Sequence, residues 1–294
     1  MSTSATATPS AAPRRRMRTG LLILALLLPL AAINLVNFII PLIRLASISF
    51  MESKAGVLTE NLSAAAYLAF FTDPFSLDLI WNSVLMSFVV TLATLVCAYP
   101  IALFLHRVSP RWRNILFVIT ISPLLVSAVV RTYGFMVLLG DRGVVNGLLM
   151  SAGLITSPLR LTNNALGVYI GLVEILIPYM ALSLIAGFGR LEQSLEEAAA
   201  TLGAGPFTRF RRVIFPLTLP GVALGCLLCF VLAISSFVTP KLLGGGRVFL
   251  LATEIYDQAV IQLEWPKAAA TSIFVLFIFG LALALYGRVS RRLG

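Results

Sequence analysis

The groups in this chain that could carry charge or protons through apolar sequence are few. Glu174 stands in Leu-Val-Glu174-Ile-Leu-Ile-Pro178, an ionisable side chain near the middle of an apolar run. A carboxylate held there costs about 2.5 kcal/mol or more unless it faces a cavity or a partner. Two readings are open: a carboxylate that handles a cation or proton, and a carboxyl paired with Arg131 or protonated in helix packing. Pro178, four residues on, predicts a kink that frees backbone carbonyls needing a polar lining. His106, the single histidine, sits beside Arg107 at the end of an apolar run and fits a headgroup-facing role. Cys97, Cys226 and Cys229 all lie in apolar sequence, so the Cys226-x-x-Cys229 pair reads as space-filling rather than as a zinc or redox site.

Several chemistries are excluded. One histidine leaves no ligand set for a zinc protease and no base for a serine hydrolase. Asp73, Asp78, Asp141 and Asp257 all fall outside the apolar runs, so an intramembrane aspartyl dyad is absent. No G-x-x-x-x-G-K-[ST] occurs, and Gly244-Gly-Gly-Arg247 lacks the lysine and following helix that cradle phosphates. If ATP drives this chain, another chain hydrolyses it. No catalytic residue, cofactor or metal is expected.

The elements that must position these groups are membrane helices. Hydrophobic residues make up 59% of the 294 and charged ones 12%, with mean hydropathy +0.97, far outside soluble usage. Six apolar spans are expected: 21–43, 79–105, 115–130, 165–186, 213–237 and 268–286. The third is short for a bilayer, and its helix could continue past Arg131 toward Leu139. The first is too long for a signal-peptide core and no small-residue cleavage site follows, so it reads as an uncleaved anchor. Residues 1–20, Ser/Thr/Ala/Pro-rich and then basic, read as a disordered tail, leaving 21–294 as one membrane domain.

The net charge of +10 is a topology signal rather than a nucleic-acid footprint, since no basic stripe is interleaved with aromatics. Segments 1–20, 106–114, 187–212 and 287–294 hold 14 of the 22 basic residues, while the longer segments 44–78, 131–164 and 238–267 hold eight. The first set is therefore expected on the cytoplasmic side, with both termini there. Glycines near Arg131-Thr-Tyr133-Gly134 and in Gly244-Gly-Gly suit either re-entrant turns or solvated outer loops. Trp81, Trp112 and Trp265 lie at span ends, as interfacial anchors do.

One segment between spans has a shape of its own. Ser194-Leu-Glu-Glu197 forms a capping-box pattern, Ala198 and Ala199 favour helix, and Gly203 followed by Gly205-Pro206 stops that helix and starts another. A basic stretch from Arg209 to Arg212 then runs into Val213-Ile-Phe-Pro216. Together these predict a short helix-turn-helix at a membrane surface.

The spacing Glu-Ala-Ala, three residues, Gly, nine residues, then an apolar pair and Pro resembles the signature loop of permease subunits of binding-protein-dependent ABC importers. Val213 stands where isoleucine is usual in that family and Phe215 where leucine is, both still apolar. Arg131-Thr-Tyr133-Gly through Gly143-Val-Val-Asn146, Leu242-Leu-Gly-Gly-Gly-Arg247 and Glu264-Trp265-Pro266 are similar to stretches of the permeases that import spermidine and putrescine. Ser236 stands where related chains often carry an acid, which leaves the exact solute open.

The resemblance implies an all-α polytopic protein of the bacterial inner membrane with about six transmembrane helices and a cytoplasmic coupling helix in a 188–216 signature loop. It implies a second permease, identical or different, a dimer of ABC ATPase subunits, and a periplasmic or tethered solute-binding protein. Glu197, Ala198, Ala199, Gly203 and Pro216 would form the ATPase-coupling loop, and Arg131, Tyr133, Glu174 and Ser236 would line the path of a polyamine or related solute. Beyond lipid, no other partner is implied. The competing reading is a self-sufficient channel or secondary carrier with Glu174 as its ion or proton site.

Overall fold

The structure is a computed structural model and describes residues 14–54, 56–189 and 191–293. The chain is almost wholly helical. Helix α1 (Arg14–Ser49) is followed by a small hairpin, β1 (Met51–Lys54) with β2 (Val57–Leu62), a departure from the all-helical expectation. Then come α2 (Ala65–Thr72), α3 (Pro74–Arg107), α4 (Pro110–Ile121), α5 (Ala128–Leu139), α6 (Val144–Ser151) and α7 (Ala165–Phe188). The remainder is α8 (Gln193–Thr201), α9 (Pro206–Arg209), α10 (Phe215–Ile234), α11 (Val238–Leu243), α12 (Leu251–Tyr256) and α13 (Trp265–Leu293). Of the expected tail, residues 1–13 lie outside the described residues, and from Arg14 the backbone is already helical.

Residues 14–48 belong to a unit of their own, a helix on which many apolar side chains, among them Leu35, Phe38 and Ile40, are exposed. In the second unit, from Ser49 onward, the core is a bundle of α3, α7 and α10 around Val90, Val168, Leu172, Met180, Leu184 and Phe188, all buried. At one crossing α7 and α10 meet backbone to backbone. A Cβ on Gly187 would lie 2.8 Å from Gly221 Cα, and one on Gly221 would lie 2.7 Å from Gly187 Cα and 2.8 Å from the Ser183 carbonyl. Gly221 opens a Gly-Val-Ala-Leu-Gly225 run, the small-xxx-small pattern that lets membrane helices approach this closely. Several polar groups of α3 in the apolar packing are satisfied locally, though the buried Thr94 hydroxyl has no partner among the described residues. Ser83, Ser87 and Thr91 each donate to the carbonyl four residues back at 2.7 Å, and Ser83 Oγ also accepts from the Leu251 amide at 2.8 Å.

Among the described residues, five helices are long and apolar enough to cross a membrane: Leu27–Ser49, Pro74–Arg107, Ala165–Phe188, Pro206–Ile234 and Trp265–Arg292. The third expected span, 115–130, is not one rod. Pro110–Leu125 and Ala128–Ser151 meet at a 98° bend. The cause is local: Pro123 lacks an amide proton and tightens the chain into a 3₁₀ turn at Ser122–Leu125, and Val126 follows in an extended conformation. Helix does continue past Arg131 to Leu139, but in a new direction. The fifth span ends at Ile234, so Phe237 falls beyond it.

Candidate functional site

Two groups of residues picked out from the sequence are built by this frame, at different places along it. The first is the segment between α7 and α10. Helix α8 ends in a Schellman motif: the Gly203 amide donates to the Ala200 carbonyl and the Ala204 amide to the Ala199 carbonyl, both at 3.0 Å. Gly203 has φ +79°, the left-handed conformation this closure needs, yet a Cβ there would meet nothing within 4 Å. Its glycine is thus required by backbone conformation rather than by crowding within this chain. The start of the helix corrects the sequence reading. Glu192 is the N-cap, Ser194 lies inside the first turn with its hydroxyl donating to Glu192 Oε2 at 3.2 Å, and the Ser194–Glu197 capping box does not form.

What seats this segment was not foreseen. Arg107, in the last turn of α3, donates to Glu196 Oε2 at 2.7 Å, clipping α8 to the bundle. Beneath it lies an aromatic cluster in which the Tyr99 ring meets Phe188, Phe210 and Phe215 at 5.6, 5.7 and 6.3 Å, and His106 stacks on Phe188 at 5.3 Å. Thr218 Oγ1 donates to the Ile214 carbonyl, leaving its oxygen to accept from the Tyr99 hydroxyl at 2.8 Å. His106 is therefore turned onto an aromatic ring rather than only toward headgroups. On the outer side Leu202 and Phe207 are exposed at 88% and 74%, with Leu195 and Ala198 also exposed. Between α9 and α10 a π-helical turn, Phe210–Ile214, closes with the Phe215 amide on the Phe210 carbonyl five residues back. The widened ladder sits directly before Pro216, which has no proton to donate to it.

The second group is in the bundle. Arg131 on α5 and Glu174 on α7 form an ion pair with Nε to Oε2 at 3.7 Å, the side chains being 11% and 26% exposed. A second guanidinium nitrogen, Nη1, donates to the Pro123 carbonyl at 3.0 Å. Neither Arg131 Nε nor Glu174 Oε2 has a hydrogen-bond partner among the described residues. The pair is held by charge and position and is not closed by a hydrogen bond. Tyr133, also on α5, is 54% exposed, and Ser236 is half-buried between α10 and α11 with its amide on the Ala233 carbonyl. Of the four candidate pathway residues, the described contacts join only Arg131 and Glu174. Helix α7 runs through Pro178 to Phe188.

Segment 238–267 is more ordered than a solvated loop. Helix α11 packs on α5 and α7, and Lys241 Nζ reaches Asp257 Oδ1 at 2.6 Å while lying 5.6 Å above the Tyr256 ring. Gln258 donates to Glu254 Oε1 at 3.0 Å and accepts from Thr271 of α13 at 3.2 Å. Burial pushes the Glu254 carboxyl above the ordinary carboxylate range. The three cysteines are free thiols, and no cluster of metal-ligating side chains occurs among the described residues.

With this geometry in view, the comparisons decide the class. Residues 98–294 match the family model of the binding-protein-dependent transport system inner membrane component. The chain belongs to that family. It is 36% identical to the spermidine/putrescine transport system permease protein PotB of Haemophilus influenzae over 75% of this chain and 77% of that one. It is 37% identical to PotB of Escherichia coli over 75% and 80%. Its fold is that of a subunit of the bacterial alginate ABC transporter solved with a pentasaccharide-bound periplasmic protein, with TM-score 0.75, 17% identity, and coverage of 95% and 96%. This permease is thus a multi-pass inner-membrane subunit of an ABC importer that contributes to the translocation pathway, with ATP hydrolysed by a separate subunit. A binding-protein-dependent system works with a solute-binding protein, which displaces the self-sufficient carrier.

Proposed function

We propose that this permease imports a polyamine or a related small cationic solute, and that α8 with its flanking turns is the element that docks the ATPase. The observation that carries the docking role is the seat of α8. That helix is tied to α3 by Glu196–Arg107 and packs on the π-helical turn whose Phe210 ring meets Tyr99, while Ala198 on the helix, Leu202 at its end and Phe207 of α9 are exposed. A short helix fixed in this way, with apolar side chains exposed on and beside it, suits insertion into a groove on another protein. Glu197, Ala198, Ala199, Gly203 and Pro216 are its working residues. The basic asymmetry supports a cytoplasmic position for segment 187–212 and both termini.

The solute class is supported by similarity to two PotB permeases of spermidine/putrescine transport systems, and by Glu174, a carboxyl group partly exposed within a span. Arg131, Tyr133, Glu174 and Ser236 line the path. In this reading Arg131 pairs with Glu174 between transport events, and an arriving ammonium competes for the same carboxyl group. The test is uptake by cells lacking other polyamine importers that express this permease with its ATPase, second permease and binding protein. ATP-dependent accumulation of labelled spermidine or putrescine is expected. Uptake of a neutral solute that neither amine competes away would overturn the solute assignment.

A further inference from the structure

We propose that this permease carries a binding site for one anionic phospholipid where three of its helices end. A cavity of about 350 Å³ opens where α3 closes at Arg107, α4 begins at Pro110 and α7 closes at Phe188. Its inner wall is apolar, with Leu105 and Phe188 buried and Phe117 and Ile185 half-buried. Its rim is polar, formed by His106, Arg113 and Asn114. At roughly 30 Å³ per water molecule the space would hold about a dozen waters, which is the scale of a lipid headgroup.

Three observations select the occupant. The first is charge: the stretch 106–114 contains Arg107, Arg111 and Arg113 and no acid. The neighbouring carboxylate of Glu196 is already taken by Arg107, and Arg113 enters none of the ion pairs among the described residues. An exposed guanidinium at the mouth of a cavity calls for an anion. The second is depth. Trp112, 61% exposed in the first turn of α4, marks the level at which aromatic rings meet headgroups, and the cavity opens within a residue of it. The third is continuity with hydrocarbon. Ile115, Val118 and Ile119 of α4 are all more than half exposed, an apolar face leading away from the rim on which acyl chains can lie. A free phosphate would satisfy the rim and leave the apolar wall and this face unused. A phosphodiester headgroup with its acyl chains satisfies all three.

The position gives the site a consequence. Phe188, Gly189 and Leu191 border the cavity and lead directly into α8. A headgroup seated there braces the same turn that carries α8, so anionic lipid should strengthen coupling to the ATPase whichever solute is carried.

The assembled importer, released from nanodiscs containing phosphatidylcholine with phosphatidylglycerol, is examined by native mass spectrometry. The wild type is expected to retain one phosphatidylglycerol in preference to phosphatidylcholine. Arg113→Ala should lower that preference about fivefold, the factor for removing one cation near the membrane surface, while Arg113→Lys should keep most of it. Arg288→Ala, an exposed arginine near the end of α13, should leave it unchanged. Equal retention of the two lipids by the wild type would overturn the proposal, as would an unchanged preference in Arg113→Ala or equal losses in Arg113→Ala and Arg288→Ala. Displacement of the lipid by millimolar inorganic phosphate would make the cavity a plain anion site and overturn it too. A fully folded Arg113→Ala complex in detergent separates loss of the site from loss of the fold.

Discussion

Replacing Glu174 by glutamine removes a charge and almost no volume, and the structure says what should follow. At 3.7 Å and an effective dielectric of about 20, the attraction between Arg131 and Glu174 is about 4.5 kcal/mol before any desolvation is charged against it. The pair has no mutual hydrogen bond and Glu174 is 26% exposed, so the net value falls well below that gross figure. Removing one partner strands the other charge in an apolar span, which for fully buried pairs costs 3–5 kcal/mol and here, with partial exposure, about 1–3 kcal/mol. Glu174→Gln and Arg131→Met should each destabilise the complex by that amount, and the double variant should be less destabilised than the sum by about 1–2 kcal/mol. Thermal unfolding of the purified importer reads the stability, and uptake of labelled amine reads function. The expected result is that the double variant recovers stability while transport stays at least tenfold below the parent, because only the carboxylate can receive the cation. Recovery of both together would make the pair a packing clip. Parental transport by Glu174→Gln alone would remove Glu174 from the pathway.

Two substitutions on the frame complete the set. Gly203→Asp meets open space and costs on the order of 1 kcal/mol of left-handed strain, so the permease should reach the membrane in normal amount yet lose its ATPase on purification; Gly203→Asn, which tolerates the same conformation without charge, should retain it. Full copurification and parental transport with Gly203→Asp would leave α8 a surface helix. Gly221→Val places carbon within 2.8 Å of the Gly187 and Ser183 backbones and should cost about 1–3 kcal/mol or more by forcing α7 from α10, seen as less folded permease in the membrane. Gly280→Val, with nothing within 4 Å, should match the parent, and equal behaviour of the two would refute the close-contact reading.

What the sequence revealed and what it hid divide along the range of the forces involved. Gly203 was legible because a left-handed helix stop is decided by a few neighbouring residues, and the five long helices because twenty apolar residues in a row have one common solution. The break at Pro123 was hidden inside a hydropathy average, although the proline itself was the signal. The capping box failed because two helix starts compete within three residues and the bundle end at Leu191 fixes the earlier one. The Glu196–Arg107 clip joins residues 89 positions apart, so no local pattern could reveal it. The Gly221-x-x-x-Gly225 spacing was in plain view as a helix-contact motif and went unread.

The same frame explains how one end of the molecule can answer to the other. Glu174 and Phe188 lie 14 residues apart on one helix, roughly 21 Å at 1.5 Å per residue. Between them α7 is pressed backbone to backbone against α10 at Gly187 and Gly221, and α10 continues through the π-helical turn into the segment carrying α8. Packed interiors of this density do not absorb displacement gradually. A shift of α8, in the proposed assembly driven by closure of the ATPase dimer, would therefore be passed to α7 through Phe188 and the Tyr99 ring cluster. Helix α5, which runs in a different direction beyond the bend at Pro123 and packs on α11, carries Arg131. Relative motion of α5 and α7 changes the 3.7 Å separation directly, and because no hydrogen bond locks it, a small displacement is enough to expose or cover the carboxylate. If Glu174 receives the solute as proposed, the open ion pair between α5 and α7 is where a change at α8 would be converted into a change in affinity for a cation.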